Sequence, residues 1–244
     1  MRAYREQAIV LRTHKLGETD RILHLLSTGR GKVRAVAKGV RRPGSRFGGR
    51  LEVLSHVDAQ LHPGRTLDVV TQVELVHAFS ALRSDWTRSA CAQTLAEAAD
   101  RVAQEGERHV ALFVLLRESL LALEADPRDP AAVLDAGLLR LASVAGYHPH
   151  LRACARCGAP GEHAVLHLDA GGLLCPACAP VGAQPLAEGV LEGLRVLAEA
   201  PWEDLDAWAS QRDGRIRRSC AALVSSYLAH HLGAPLKGWE LVPR

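Results

Sequence analysis

Short apolar or alternating segments, separated by turn residues, fill the first 80 residues of the chain. Proline–glycine and glycine–glycine pairs at 43–44, 48–49 and 63–64 lie between them, as expected of turns that connect strands. Five short strands in so little chain predict a small antiparallel barrel, and the five-stranded form is the OB-fold, whose face and loops bind oligonucleotides. The predicted strands are 8–11, 22–26, 33–37, 51–54 and 67–70.

Beyond residue 80 the apolar residues recur at the spacing of amphipathic helices. One set runs from Trp86 to Val102 and a second from Val110 to Leu121. A third, from Val133 to Ala145, follows Pro130, which is suited to a first helical turn. The segments 186–197 and 216–232 show the same periodicity.

Together the two patterns predict an α+β protein with more than one domain. We expect a five-stranded OB-fold nucleic-acid-binding domain over residues 1–79 and an all-helical domain over 80–244. A four-cysteine segment, 151–179, is inserted between the helices. The chain has no run of about 20 apolar residues and no apolar stretch near its start, so we expect neither a membrane span nor a signal peptide, and a cytoplasmic location.

Four cysteines have the spacing of a structural zinc site. Cys154 and Cys157 form one Cys-x2-Cys pair, and Cys175 and Cys178 form a second. Two such pairs supply four thiolates to one tetrahedral ion and leave no open position for catalysis. The spacing therefore predicts a single structural Zn²⁺ bound in a zinc finger, in a compartment where thiols stay reduced.

The other cysteines and the nearby histidines are assigned structural or surface roles. Cys91 and Cys220 lie on the apolar stripes of predicted helices, which favours burial over nucleophilic chemistry. With four thiols already in register, the histidines beside the metal segment are expected to pack or to lie on the surface. They are His148, His150, His163 and His167.

Positive charge is concentrated in the predicted barrel. Residues 1–80 carry fourteen Lys and Arg against seven Asp and Glu, and residues 30–50 contain eight basic residues without an acidic one. Basic residues on a solvent-exposed edge strand can prevent aggregation, but this role explains one or two such charges and not eight. The segment therefore favours a polyanionic partner.

Alternation indicates how these charges are presented. Lys32, Arg34 and Lys38 have even spacing and face one side, while the apolar residues between them face the barrel interior. The following residues form a Gly/Pro/Ser-rich loop, which we expect to be mobile and suited to phosphates. With few aromatic residues nearby for bases to stack on, binding should be driven by contacts to the sugar-phosphate backbone of the nucleic acid and should tolerate different base sequences. The predicted DNA-binding residues are Lys32, Arg34, Lys38, Arg41, Arg42, Arg46 and Arg50.

No catalytic constellation stands out in the sequence. The chain lacks a GxxxxGK[ST] loop, an HExxH motif and a GxSxG motif. Glu18 and Asp20 form a carboxylate pair that could hold a metal, although a turn between strands is the commoner setting for such residues. We therefore predict no catalytic residues and a protein that is not an enzyme.

Three segments of the first 50 residues resemble one family. The stretches 8–13, 17–23 and 31–42 are similar to the bacterial recombination-repair mediator family RecO. The order of cationic barrel, helical middle and inserted four-cysteine site agrees with that family over the whole chain. Because some members lack the cysteines, the resemblance implies a structural metal.

The resemblance also implies a function. It implies an OB-fold that binds single- and double-stranded DNA, anneals complementary strands and is associated with the nucleoid. It further implies a complex with RecR that helps RecA replace single-strand-binding protein on gapped DNA. The matching motif places cationic, DNA-facing residues at Lys32, Arg34, Lys38, Arg41 and Arg42.

Three other functions fit parts of the same pattern. One is a zinc-stabilised OB-fold module that binds RNA. A second is a metal-dependent nuclease with Glu18 and Asp20 as ligands. A third is an adaptor whose helices are the working surface and whose basic barrel is incidental.

Overall fold

The computed structural model of the chain describes residues 2–211 and 213–243. It divides into two compact units, Met1–Glu124 and Ala125–Arg244. The division lies inside the predicted helical domain, so three early helices group with the barrel. The predicted domain boundary between residues 79 and 80 stays a prediction.

The first unit contains a closed five-stranded barrel. Its strands pair in the order β1-β2-β3-β5-β4, with β4 also pairing with β1, so the predicted OB-fold is confirmed. Four of the pairings are antiparallel, but β3 and β5 run parallel, which corrects the expectation of a purely antiparallel barrel. The strands are β1 Tyr4–Leu16, β2 Asp20–Ser27, β3 Gly31–Ala37, β4 His56–His62 and β5 Asp68–His77.

The fourth strand was predicted in the wrong place. Residues 51–54 end a short 3-10 helix, Gly48–Leu51, and enter a turn in which Leu54 has a positive φ of 73°. Leu51 and Leu54 are apolar because they are buried, not because they form a strand. The true strand β4 buries Val57 and its alternate neighbours in the barrel, while its histidine, aspartate and glutamine residues conceal the pattern.

Three helices complete the first unit: α1 Ser80–Ser84, α2 Trp86–Val102 and α3 Val110–Glu124. The second and third agree with the predicted periodic segments. Helix α2 is capped by Asp85, whose side chain accepts from the backbone N–H of Arg88 at 2.7 Å. Its small residues let it pack closely against β1 and β2, where the outward-facing Ile9 and Leu26 are fully buried.

Among its described residues, the second unit contains four α-helices and a small hairpin. Asp129 caps α4 through the N–H of Ala132 at 3.1 Å, and Pro130 occupies the first turn as predicted. Helix α5 begins four residues later than the predicted segment, and α6 was not predicted. None of the helices among the described residues is long and apolar enough to cross a membrane. The elements are α4 Pro130–Val144, β6 Val165–His167, β7 Gly172–Leu174, α5 Val190–Glu199, α6 Leu205–Gln211 and α7 Gly214–Leu232.

Candidate nucleic-acid interface and metal centre

The chain leaves β3 and forms a segment, residues 38–50, that we call the cationic loop. Its first turns are hydrogen-bonded to the β1–β2 turn. The backbone N–H of Gly39 donates to Asp20 Oδ1 at 2.8 Å, and the N–H of Arg41 donates to the carbonyl of Thr19 at 2.9 Å. Gly39 has a φ of 67°, a conformation that glycine adopts without steric cost. The loop therefore starts from a defined position.

Asp20 is a turn residue that holds the cationic loop. The same Oδ1 that accepts from Gly39 also accepts from the hydroxyl of Thr19 at 2.9 Å. These hydrogen bonds, first that of Gly39, lower the pKa of the Asp20 carboxyl. Among the described residues the cysteine cluster is the only group found with metal-binding geometry, so Glu18 and Asp20 are not part of one.

The far end of the loop is anchored in the barrel core. Phe47 and Leu51 are each 1% exposed and belong to the core cluster inside the barrel. Around them, the guanidinium of Arg50 donates to the carbonyl of Arg46 at 2.8 Å, and that of Arg46 lies 4.9 Å from the Phe47 ring centroid. The segment predicted to be a mobile loop is thus attached at both ends.

The loop presents its positive charges to solvent. Lys38, Arg41, Arg42, Arg46 and Arg50 are all exposed. Within residues 2–211 and 213–243, no carboxylate oxygen lies within 4.0 Å of their charged nitrogens. One of the five is also tied to the fold, because the Arg41 guanidinium donates to the carbonyl of Glu18 at 2.9 Å. Five of the seven predicted DNA-binding residues are therefore brought together on one exposed segment.

The other two predicted residues face carboxylates. As the alternation predicted, Lys32 and Arg34 point outward from β3. The ammonium of Lys32 lies 3.2 Å from Asp100 of α2, and the Arg34 guanidinium lies 2.5 Å from Glu105, just after that helix. Both charges are thus paired within the first unit, Lys32 in a largely buried ion pair and Arg34 in an exposed one, whereas the charges of the cationic loop have no carboxylate partner among the described residues.

Asp100 is the centre of a small ion cluster. Besides Lys32, its carboxylate contacts Arg12 Nε at 2.9 Å and lies 3.8 Å from His24 Nδ1. Burial, followed by the positive charge of Arg12, lowers the pKa of His24. The cluster attaches the end of α2 to the barrel, and it could not be predicted from the sequence because Asp100 lies 68 to 88 residues from its three partners.

The four cysteines lie together in the second unit. Their Sγ atoms are all within 4.8 Å of one another, and those of Cys157 and Cys175 are 3.7 Å apart. Each pair sits in a tight turn, since Gly158 N–H donates to Cys154 O at 2.8 Å and Cys178 N–H donates to Cys175 O at 2.9 Å. Strands β6 and β7 form a hairpin between the two turns, which places one pair beside the other.

The thiols have strongly perturbed acidity. Backbone N–H groups, first that of Cys175, lower the pKa of Cys154 to about 5, which favours a thiolate. The neighbouring sulfurs, first that of Cys175, raise the pKa of Cys178 to about 12. Four thiolates cannot coexist at this separation without a cation. The geometry therefore fits a metal site made of thiolates.

The remaining cysteines and histidines lie outside this cluster. Cys91 and Cys220 are buried, as predicted. His163 contacts the carbonyl of Ala159 at 2.9 Å, and His148 Nδ1 lies 3.0 Å from the hydroxyl of Ser143. Among the described residues, no histidine joins the four thiols.

Comparison with known proteins gives matches over nearly the whole chain. The family model described as "Recombination protein O N terminal" matches residues 1–79, and "Recombination protein O C terminal" matches residues 83–240. The chain is also 44% identical, over 246 aligned residues that cover all of both chains, to the DNA repair protein RecO of Thermobifida fusca (strain YX).

Proposed function

This chain belongs to the RecO family of recombination and DNA repair proteins, and from that premise we propose that it binds single- and double-stranded DNA and anneals complementary strands. The observation that carries the proposal is the cationic loop, with five exposed basic side chains and no carboxylate partner among the described residues. Phosphate groups complement such a surface, and each contact releases counterions.

Annealing by such a surface needs no bond chemistry. A cationic loop that neutralises phosphates on two strands lowers their mutual repulsion, and base pairing then completes the reaction. Phe47, the aromatic residue of the loop, is buried in the barrel core, which leaves little for bases to stack on. The protein should therefore contact the sugar-phosphate backbone of the DNA and should tolerate any base sequence.

A strand-annealing assay tests this proposal. Two complementary oligonucleotides, one labelled with a fluorophore and one with a quencher, would be mixed with and without the protein. We expect the protein to accelerate pairing, and a variant with Lys38, Arg42 and Arg46 changed to alanine to lose most of that acceleration. Annealing no faster than with a neutral control protein would refute the proposal.

RNA binding by the same barrel is the alternative function, because phosphates of either polymer suit a cationic loop. Competition between DNA and RNA oligomers of matched sequence separates the two. In either case we place the protein in the cytoplasm, in association with the nucleoid if DNA is the ligand.

We further propose that the protein acts with RecR and helps RecA to replace single-strand-binding protein. The acidic tail of single-strand-binding protein needs a pocket with both apolar and basic groups. A pocket in the second unit supports the proposal, since it combines alanine side chains and Trp208 with Arg218. Asp135 and Arg217 also line it, and the Arg217 guanidinium is paired with Asp129, so Arg218 is the residue to test. An Arg218→Glu variant should lose affinity for a tail peptide, whereas Arg215→Glu, at an exposed neighbouring position, should lose less.

For the metal centre we propose one structural zinc ion held by Cys154, Cys157, Cys175 and Cys178. Zinc–sulfur bonds of about 2.3 Å in tetrahedral geometry separate the sulfurs by about 3.8 Å. The Cys157–Cys175 separation of 3.7 Å fits that value. A closed set of four thiolates supplies folding energy to the hairpin rather than catalysis.

A further inference from the structure

The cationic loop is held in place by a residue of opposite charge. Asp20 is the carboxylate at the foot of the loop, and the positive charges of Arg42 and Lys38 act on it. By charge alone, Asp20 should weaken phosphate binding, because it offsets part of the field that attracts a polyanion. Its hydrogen bonds give it a second role that acts in the opposite direction.

These hydrogen bonds fix the path of the backbone at the start of the loop. Asp20 Oδ1 accepts from Gly39 N–H at 2.8 Å, and Thr19 O accepts from Arg41 N–H at 2.9 Å. The guanidinium of Arg41 adds a third connection through the Glu18 carbonyl. Phe47 is buried in the barrel core near the other end, so the loop is attached on both sides of its middle segment.

We propose that Asp20 and Arg41 are positioning residues that hold the cationic loop as a preformed surface for nucleic-acid phosphates, with Lys38, Arg42 and Arg46 as the contacting cations. A preformed surface saves the entropy that a flexible loop loses when it binds. This inference rests on the proposed function. It gives the basic residues of the loop different roles, because Arg41 positions the loop while the others contact phosphates. It assigns to an acidic residue a favourable effect on the binding of an anion.

Three variants separate the effect of Asp20 on the position of the loop from the effect of its charge. Asp20→Ala removes both the charge and the acceptor, Asp20→Asn removes the charge but keeps an acceptor oxygen for Gly39, and Glu18→Gln removes a matched charge from the same turn. Glu18 is exposed, and among the described residues its carboxylate has no ion pair or hydrogen bond. Affinity for a single-stranded oligonucleotide would be measured at one fixed salt concentration by fluorescence anisotropy.

We expect Asp20→Ala to bind about two- to tenfold more weakly than the wild type, which corresponds to the cost of ordering one or two side chains. Asp20→Asn and Glu18→Gln should bind at least as tightly as the wild type, because each removes a negative charge from a cationic surface. If Asp20→Ala binds as tightly as the wild type or as Asp20→Asn, Asp20 has no positioning role.

A second pair of variants covers the case in which Asp20→Ala does not fold. Arg41→Lys and Arg65→Lys both keep the charge, but an ammonium does not reproduce the planar guanidinium with which Arg41 reaches the turn carbonyls. Arg41→Lys should weaken binding by a similar factor, whereas Arg65→Lys, at an exposed position between β4 and β5 and outside the cationic loop, should change it less. Equal affinities of the two variants would overturn the assignment of Arg41.

The outcome also distinguishes this inference from the proposed function. If the wild-type protein does not bind oligonucleotides, the proposed function fails and the inference fails with it. If the wild type binds and the Lys38/Arg42/Arg46 alanine variant does not, while Asp20→Ala binds normally, only the positioning role is refuted.

Discussion

The ammonium group of Lys32 lies 3.2 Å from the carboxylate of Asp100. The lysine side chain is 17% exposed and the aspartate side chain 12%, so the pair is largely withdrawn from solvent. Arg12 contacts the same carboxylate. Helix α2 is thereby attached to the outer face of β1 and β3, and the charge of Lys32 serves the fold.

Removing this carboxylate should destabilise the first unit. Asp100→Ala leaves Arg12 and Lys32 close together without a counter-ion, and we expect a loss of about 1–3 kcal/mol in the free energy of unfolding. Urea denaturation measures it. The control is Glu105→Ala, which breaks the exposed pair with Arg34 and should cost about 0–1 kcal/mol. Equal losses for the two variants would contradict the role of Asp100.

Gly31 lies where the barrel closely approaches the segment after α2. Its φ is 61°, and a Cβ at this position would overlap the carbonyl oxygen of Glu107. Gly31→Ala should therefore cost about 2–4 kcal/mol, since backbone must move. Gly106→Ala is the matched control, because its φ is 78° but no atom lies within 4 Å of the added Cβ. It should cost about 1 kcal/mol by the same denaturation measurement.

His56 should make the stability of the first unit depend on pH. It is 4% exposed and packs against Phe113, and burial, followed by the charge of Arg117, lowers its pKa. The unfolded chain, with an ordinary histidine pKa of about 6.5, then takes up the proton first as the pH falls. Stability should be complete above about pH 7 and should decrease as the pH falls below 6.5.

Substitution tests this pH dependence. His56→Gln should reduce the loss of unfolding free energy between about pH 7 and pH 5. Part of the loss should remain, because the pKa of His24 is also lowered by burial. His62→Gln, at an exposed position of β4, should leave the pH profile unchanged. A profile of the His56 variant identical to that of the wild type would show that this histidine is not the cause.

Loss of the proposed zinc ion should unfold the hairpin of the second unit and spare the first unit. In Cys154→Ser, or after chelation, we expect the metal content to fall from one zinc per chain to near zero. The cost should be several kcal/mol, given that zinc contributes about 10–16 kcal/mol in finger peptides. Cys91→Ala should keep its metal, because Cys91 is buried in α2. Elemental analysis and hydrogen exchange around β6 and β7 measure the two effects, and full metal content in Cys154→Ser would exclude the site.

The sequence predicted the elements whose formation depends on residues that are close together in the chain. The four-cysteine cluster follows from spacing, because each Cys-x2-Cys turn presents two sulfurs to the same side. The helices α2, α3 and α4 follow from apolar periodicity, and α4 also from Pro130. Strand β4 did not follow, since His56 and His62 at its ends and polar residues between them hide an apolar alternation of only three positions.

Long-range pairing explains what the sequence did not predict at the candidate site. The alternation of β3 correctly placed Lys32 and Arg34 on the outer face, but their partners lie about 70 residues later in the chain. The sequence shows Asp20 only as half of a carboxylate pair, because its hydrogen bond with Gly39 depends on how the β1–β2 turn meets the end of β3. Charge counts locate a basic segment but do not show which charges are already paired.

The most direct test of the account is the salt dependence of binding to single-stranded DNA. Wild type would be compared with the Lys38/Arg42/Arg46 alanine variant and with Arg34→Ala. Each lost phosphate contact should reduce the slope of log K against log salt concentration by about 0.7, so the triple variant should lose about 2 and Arg34→Ala almost nothing. A slope that is unchanged in the triple variant, or reduced as much by Arg34→Ala alone, would contradict the assignment of DNA binding to the cationic loop.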